Sequence, residues 1–352
     1  MSQYMINCQM SNWKGIYLGL ATCLVFFNPF YSNNEIFPYW LLLLPLLFKS
    51  VPAFIFCLTT LSLGLLNYLL YPESRAVIDC LSIISTFIGL FIYSSLNNEE
   101  KRSLCNIFII FIILTFIVMI IQKINSQFHD FILELFSSRN DLSSYYINRN
   151  GAVTGFSPEP AYGSAMITGL MLILFLNHRL SNFIYILILI ELYLFRSITG
   201  IIYFMYASLM IAFTDFKIFL KHKYILLALL VSVGFFFRHD FFSFIIRPKL
   251  FIDTMFSSGN LIEAESIFGS SRLINVLDAF KLFYPSYSTG FSPFAVFSNL
   301  SHTFLIPVII LLIYASAKEN IRNIILGLPY LIFGGPVLLW PLQVFLFEKI
   351  KK

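Results

Sequence analysis

Long apolar runs, several of membrane-crossing length, recur along this chain, and no other feature so limits the folds open to it. They extend from Gly15 to Tyr31, Ile36 to Phe48, Pro52 to Tyr71, Ala76 to Leu96, Leu104 to Gln122, Ala161 to Asn177, Phe183 to Phe195, Ile198 to Thr214, Tyr224 to Phe237, Phe294 to Ala317 and Ile321 to Phe347. A helix needs roughly 20 apolar residues to cross the hydrocarbon core. There, every backbone polar group must be satisfied within a helix or a closed barrel. Barrel strands would alternate with period two; these runs do not alternate, so the expected spanning elements are helices. The shorter runs must extend into flanking polar residues or be re-entrant. Only 12% of residues are charged and 58% are hydrophobic, against roughly 25% charged in soluble domains. The expected fold class is all-α: a single polytopic membrane domain over residues 1–352, with about 11–12 transmembrane helices. The count depends on whether Gly334, Gly335 and Pro336 break the last run.

Charge orients the expected bundle. With the amino terminus in the cytoplasm, alternation puts Lys49, Lys101 with Arg102, Arg179, Lys217 with Lys221 and Lys223, and Lys318 with Arg322 in cytoplasmic loops, as the positive-inside bias asks. The tail EKIKK prefers that side too, which favours breaking the last run. The net charge of +5 fits an inner-membrane protein and gives no reason to expect nucleic acid as a partner. The start, MSQYMINCQMSNWK, lacks the pattern of a removable signal peptide. Two long polar segments, 123–160 and 238–293, then fall on the same, periplasmic side. The first contains an amphipathic piece, SQFHDFILELFSS, suited to lying along the interface. The second has helical spacing of Leu273, Val276, Leu277 and Phe280 behind the cap-like pair Ser270 and Ser271. No internal repeat supports an inverted-repeat transporter. Cys8, Cys23, Cys57, Cys80 and Cys105 have no metal-ligand spacing and read as small core hydrophobes.

The residues that can carry chemistry gather at one junction. Glu159 stands between Pro158 and Pro160, where a new apolar run begins. Pro160 is suited to the first helical turn, so the carboxylate sits at a helix N-terminus. One reading is a complement to the helix dipole, worth typically about 0.3–1 kcal/mol. The other is a partly desolvated base able to take a proton from a substrate hydroxyl. Arg139 and Arg149 lie upstream; Gly151, Gly155 and Gly163 permit close backbone approach, and Tyr162 offers a ring with a polar tip. The second segment adds Arg238, Arg247, Lys249, Arg272 and Lys281. Arg238, Arg247 and Lys249 suit a snorkelling role. Arg149 and Arg272 stand in Gly- and Ser-rich contexts, where guanidinium forks suit phosphate oxygens. Arg196 falls in a tight turn one helical turn after Glu191, so the two form an internal ion pair or Arg196 contacts a diphosphate. Asp79 reads as a polar packing residue. His302, beyond Asn299 and Ser301, is a hydrogen-bonded helix histidine or a proton acceptor.

The stretch RNGAVTGFSPEPAYG, from Arg149 to Gly163, resembles the arginine, glycine and Glu-Pro signature of Wzy-type polymerases of O-antigen and exopolysaccharide repeat units. FRSITG resembles that family's next patch, and GSSRLINVLDAFKLFYPSYSTGF its second large periplasmic loop. The likeness runs from about Arg139 to His302; Ala161 replaces the usual serine, and STGF stands where a double-glycine turn is common. The resemblance implies an architecture similar to GT-C-like glycosyltransferases that use lipid-linked donors. It implies transfer of a growing glycan from undecaprenyl diphosphate to the non-reducing end of an incoming lipid-linked unit, at the periplasmic face of the inner membrane. It implies no cofactor and no metal. Partners would be the lipid-linked donor and acceptor, membrane lipids and a membrane protein that sets chain length. Carried onto this chain, Glu159 is the base and Arg149 and Arg272 are diphosphate ligands. Arg139 and Arg196 are secondary ligands, with Tyr162, Ser271 and His302 as additional candidates. The rivals are an O-antigen ligase of the same superfamily, which leans on a second-loop histidine, and a lipid-linked oligosaccharide flippase or other transporter, whose charges would spread through its spans.

Overall fold

The computed structural model describes residues 13–24, 51–70, 84, 88–136, 152–157 and 160–197, with further positions at 200, 203, 204, 207, 208, 253, 254, 256, 257, 259, 340, 341 and 344. Among these residues all regular structure is helical. The principal helices are α1 (Trp13–Leu24), α2 (Val51–Leu70), α3 (Asn98–Ile124), α4 (Ser126–Phe136), α5 (Pro160–Leu176) and α6 (Asn182–Phe195). Of these, α3 alone is long and apolar enough to cross a membrane by length and composition.

α3 begins well before the apolar run that announces it. Asn97 accepts the Glu100 N–H and Glu100 accepts the Asn97 N–H, each at 2.9 Å. This capping box satisfies orphan amides of the first turn, so Asn98 to Ser103 are helical despite their polarity. Lys14 of α1 adds an ion pair to Glu100 at 3.9 Å. At its far end, Lys123 complements the helix dipole.

α5 is apolar around its whole circumference, which marks a helix enclosed on every side. Its residues from Gly163 to Phe175 are all buried. α6 buries a stripe at Ile184, Tyr185, Leu187, Ile188, Glu191, Leu192 and Phe195. Hydroxyls inside the apolar helices turn back on their own backbone: Thr22 onto Leu18, Thr115 onto Phe111 and Thr168 onto Ser164, at 2.6–2.9 Å. From the distant end of the chain, Trp340 packs on Tyr93 and Phe108 and donates to Thr22 at 3.0 Å.

The contacts fix helix directions. Gly15 and Gly19 of α1 face Glu100 and Ile107 of α3, so these two run parallel. Asn177, just after α5, donates to the Tyr93 hydroxyl at 2.9 Å, while Gly163 at the start of α5 abuts Phe195 at the end of α6. The turn from Asn177 to Ser181, with His178 in the left-handed region, makes α5 and α6 antiparallel neighbours. Lys14, Glu100, Lys101 and Arg179 therefore gather at one end of the bundle, and Lys123, Ser157 and Arg196 at the other.

α3 is apolar on both sides. Leu104, Phe108, Phe111, Ile112, Thr115, Met119 and Gln122 face inward, while Ile110, Leu114, Ile117, Ile121 and Ile124 form an exposed stripe. α1 shows Trp13, Ile16, Leu20 and Leu24 outward, and α2 shows Phe54, Ile55, Leu58, Leu65, Leu66 and Leu69. Exposed apolar surface on this scale marks contact with lipid or with another protein.

The cysteines that fall among the described residues behave as small core groups: Cys23 and Cys105 are buried and free, and Cys57 is half-buried. Cys8, Cys80 and Asp79 lie outside the described residues.

Candidate functional site

The segment leading to Glu159 packs as core. Ala152, Val153, Thr154, Gly155 and Ser157 are buried and Phe156 is half-buried, although their place in a long polar segment suggests solvent. Buried backbone must find partners, and this segment finds them on two helices. The Val153 N–H donates to the Leu194 carbonyl of α6 at 3.2 Å. Gly155 gives its N–H to Gln122 Oε1 at 2.9 Å and receives Gln122 Nε2 on its carbonyl at 3.0 Å. The Ser157 N–H then closes a turn onto the Thr154 carbonyl at 3.0 Å. Gly155 has φ of 61°, and a β-carbon there would stand 2.8 Å from Thr115 Cγ2. Two constraints, conformation and space, thus require glycine at this position.

Below the segment, Phe111, Thr115, Thr154, Phe156, Ser157, Gly163, Ile167 and Phe195 line a close-packed seam between α3, α5 and α6. Gly163 lets α5 meet the Phe195 ring, and Gly200 lets the following chain meet Ser164. Pro160 is the first residue of α5 and is buried, the place expected for a proline without an N–H to leave unsatisfied. The described residues on either side of Pro158 and Glu159 are therefore both anchored in the bundle.

Arg196 caps α6 in the left-handed conformation, φ 47° and ψ 37°, with its N–H on the Tyr193 carbonyl at 3.3 Å. Outside glycine and asparagine this region costs roughly 1–2 kcal/mol. The half-buried side chain lies within electrostatic reach of Lys123 at the end of α3. Two cations thus stand within electrostatic reach of each other at this end of the bundle.

The expected Glu191–Arg196 ion pair does not form. Five residues at about 100° each put the two on helix faces about 140° apart, and Arg196 leaves the helix as its cap. Glu191 is fully buried against α3, and neither carboxyl oxygen has a hydrogen-bond partner; the backbone of Phe116 lies close but outside bonding geometry. Thr154 Oγ1 and both ring nitrogens of His129 are likewise buried without partners. Gln122, Thr154 and His129 carry no cue in the sequence beyond being polar residues within or beside apolar surroundings. For Gln122, an amide ending a long apolar run was the available signal.

Of the candidate residues, Arg196 alone has a described side chain. Tyr162 lies in the first turn of α5, where the backbone is helical. Glu159, Arg149, Arg139, Arg272, Ser271 and His302 lie outside the described residues, as does the second polar segment apart from Asp253, Thr254, Phe256, Ser257 and Gly259. Comparison with models of protein families, with curated proteins and with solved structures finds no match to this chain.

Proposed function

We propose that this chain is a polytopic inner-membrane glycosyltransferase that polymerises undecaprenyl-diphosphate-linked oligosaccharide repeat units at the periplasmic face. The observation that carries the reading is the fit between motif and packing. Gly155 and Gly163 of RNGAVTGFSPEPAYG are demanded by a left-handed turn and a helix–helix contact, Pro160 starts a helix, and residues 152–157 are buried or half-buried at one end of a bundle. A carboxylate delivered by so constrained a segment is suited to chemistry that needs a fixed base. The exposed apolar faces of α1, α2 and α3 support a lipid environment.

In the proposed reaction, a hydroxyl at the non-reducing end of the acceptor attacks the anomeric carbon of the donor glycan. The new carbon–oxygen bond forms as the bond from that carbon to the diphosphate oxygen breaks. The hydroxyl proton passes to Glu159, and the released undecaprenyl diphosphate keeps the bonding electron pair. Arg149 and Arg272 take up the leaving-group charge, Arg139 and Arg196 assist, and Tyr162, Ser271 and His302 complete the pocket. Fixed cations placed where charge develops are worth several kcal/mol each.

The test is a surface-polysaccharide gel from cells whose only copy is this chain, with variants at matched membrane abundance. Wild type should give a ladder. Glu159→Gln should collapse it to a single repeat unit on the lipid core, and Arg272→Ala should reduce turnover by about 10²-fold or more. A full ladder from Glu159→Gln overturns the role of the base. Loss of all surface glycan, single unit included, would indicate ligase or flippase activity instead.

A further inference from the structure

Gln122 is 2% exposed near the end of α3, and both ends of its amide meet one residue thirty-three positions away. An amide side chain presents a donor and an acceptor in one plane. Here it matches the carbonyl and N–H of Gly155 as a neighbouring strand would. A buried loop amide left unmet forfeits its hydration with nothing in exchange. Asparagine has the same head on a shorter stem, and no apolar residue can replace the contact. The recognition is also specific in shape, because Gly155 offers this edge only in its left-handed conformation, pressed against Thr115. Two residues further on the turn at Ser157 closes, and Pro160 begins α5.

We propose that Gln122 is a positioning residue: its amide locks Gly155 and thereby sets the register in which the chain enters Pro158, Glu159 and Pro160. The role rests on the polymerase reading, since it is exerted on the base of that reaction.

Two substitutions separate positioning from folding. Gln122→Met keeps the volume and removes both hydrogen bonds. Gln122→Glu keeps them only when protonated, because the acid's hydroxyl can then donate to the Gly155 carbonyl while its other oxygen accepts the N–H; the ionised form has no donor. Hydrogen exchange on the purified full chain reads the lock alone. Exchange over 154–157 in Gln122→Met should be about tenfold faster than in wild type at the same pH. In Gln122→Glu it should be protected at about pH 5 and exposed at about pH 8. Polysaccharide ladders at matched abundance read the consequence: short in Gln122→Met, and in Gln122→Glu long in acidic medium and short in alkaline medium, with wild type unchanged. Matched abundance at each pH separates a misplaced base from a misfolded chain. Equal exchange in wild type and Gln122→Met overturns the lock. A Gln122→Met ladder of wild-type length, beside a collapsed Glu159→Gln ladder, overturns the positioning role. A full Glu159→Gln ladder removes the polymerase reading and the positioning role with it, while the exchange result stands on its own; thus the two failures are told apart.

Discussion

At position 163 a hydrogen is the only side chain that α5 can carry, because a β-carbon would enter the ring of Phe195. Gly163→Ala should therefore destabilise the protein by about 1–3 kcal/mol through overpacking. Gly163→Ala combined with Phe195→Leu should recover most of that loss, since the ring is the obstacle. Thermal unfolding of the detergent-solubilised chain measures both; a single variant as stable as wild type would mean that α5 and α6 do not meet there. Such requirements divide the residues that a sequence can reveal from those it cannot. Gly155, Pro160 and Gly163 are legible because few residue types satisfy a left-handed turn, a helix start or a close contact. Gln122 is not legible, because its value depends on a backbone edge brought to it from a distant part of the chain. Glu191 and Arg196 are near in sequence and read as a pair, yet helical rotation and a left-handed cap part them.

At the scale of elements, periodicity and apolar run length located the cores of α2, α3, α5 and α6 to within a few residues at most boundaries. The largest miss is the start of α3, where Glu99, Glu100, Lys101 and Arg102 read as loop although the capping box recruits them into helix. The amphipathic piece after α3 is helical as its spacing suggests, and α4 places His129 and Ile132 inward with Asp130 and Phe131 outward. Burial without a partner pushes the His129 imidazole below its ordinary value of 6.5, and the neighbouring Asp130 carboxylate opposes this only in part. The unfolded chain then binds more protons than the folded chain between the two values, so stability should be full above about pH 6.5 and fall as pH drops below it. His129→Leu removes the proton site and should flatten that fall. Melting temperatures of both proteins between about pH 5 and pH 8 measure it, and parallel curves would show that His129 does not titrate against folding.

Across the whole molecule, the directions of the described helices can be set beside the order of the apolar runs. Counting apolar runs makes those of α1, α3 and α6 odd-numbered and that of α5 even-numbered, and the contacts make α1, α3 and α6 parallel and α5 opposed to them. Charge adds a sign: Lys14, Lys101 and Arg179 share the end that the positive-inside bias assigns to the cytoplasm, and Lys123 and Arg196 share the other. Six of the eight residues of the proposed site fall outside the described residues. The orientation can be tested without them. In a chain whose five cysteines are replaced by alanine or serine, Asn125→Cys should react with a membrane-impermeant maleimide applied to intact spheroplasts. Arg102→Cys should react only after lysis, and Leu114→Cys, on the exposed apolar stripe of α3, only with a lipophilic reagent. If Asn125→Cys and Arg102→Cys react from the same side, α3 does not cross the membrane, and a site at its Lys123 end has no claim to the periplasm.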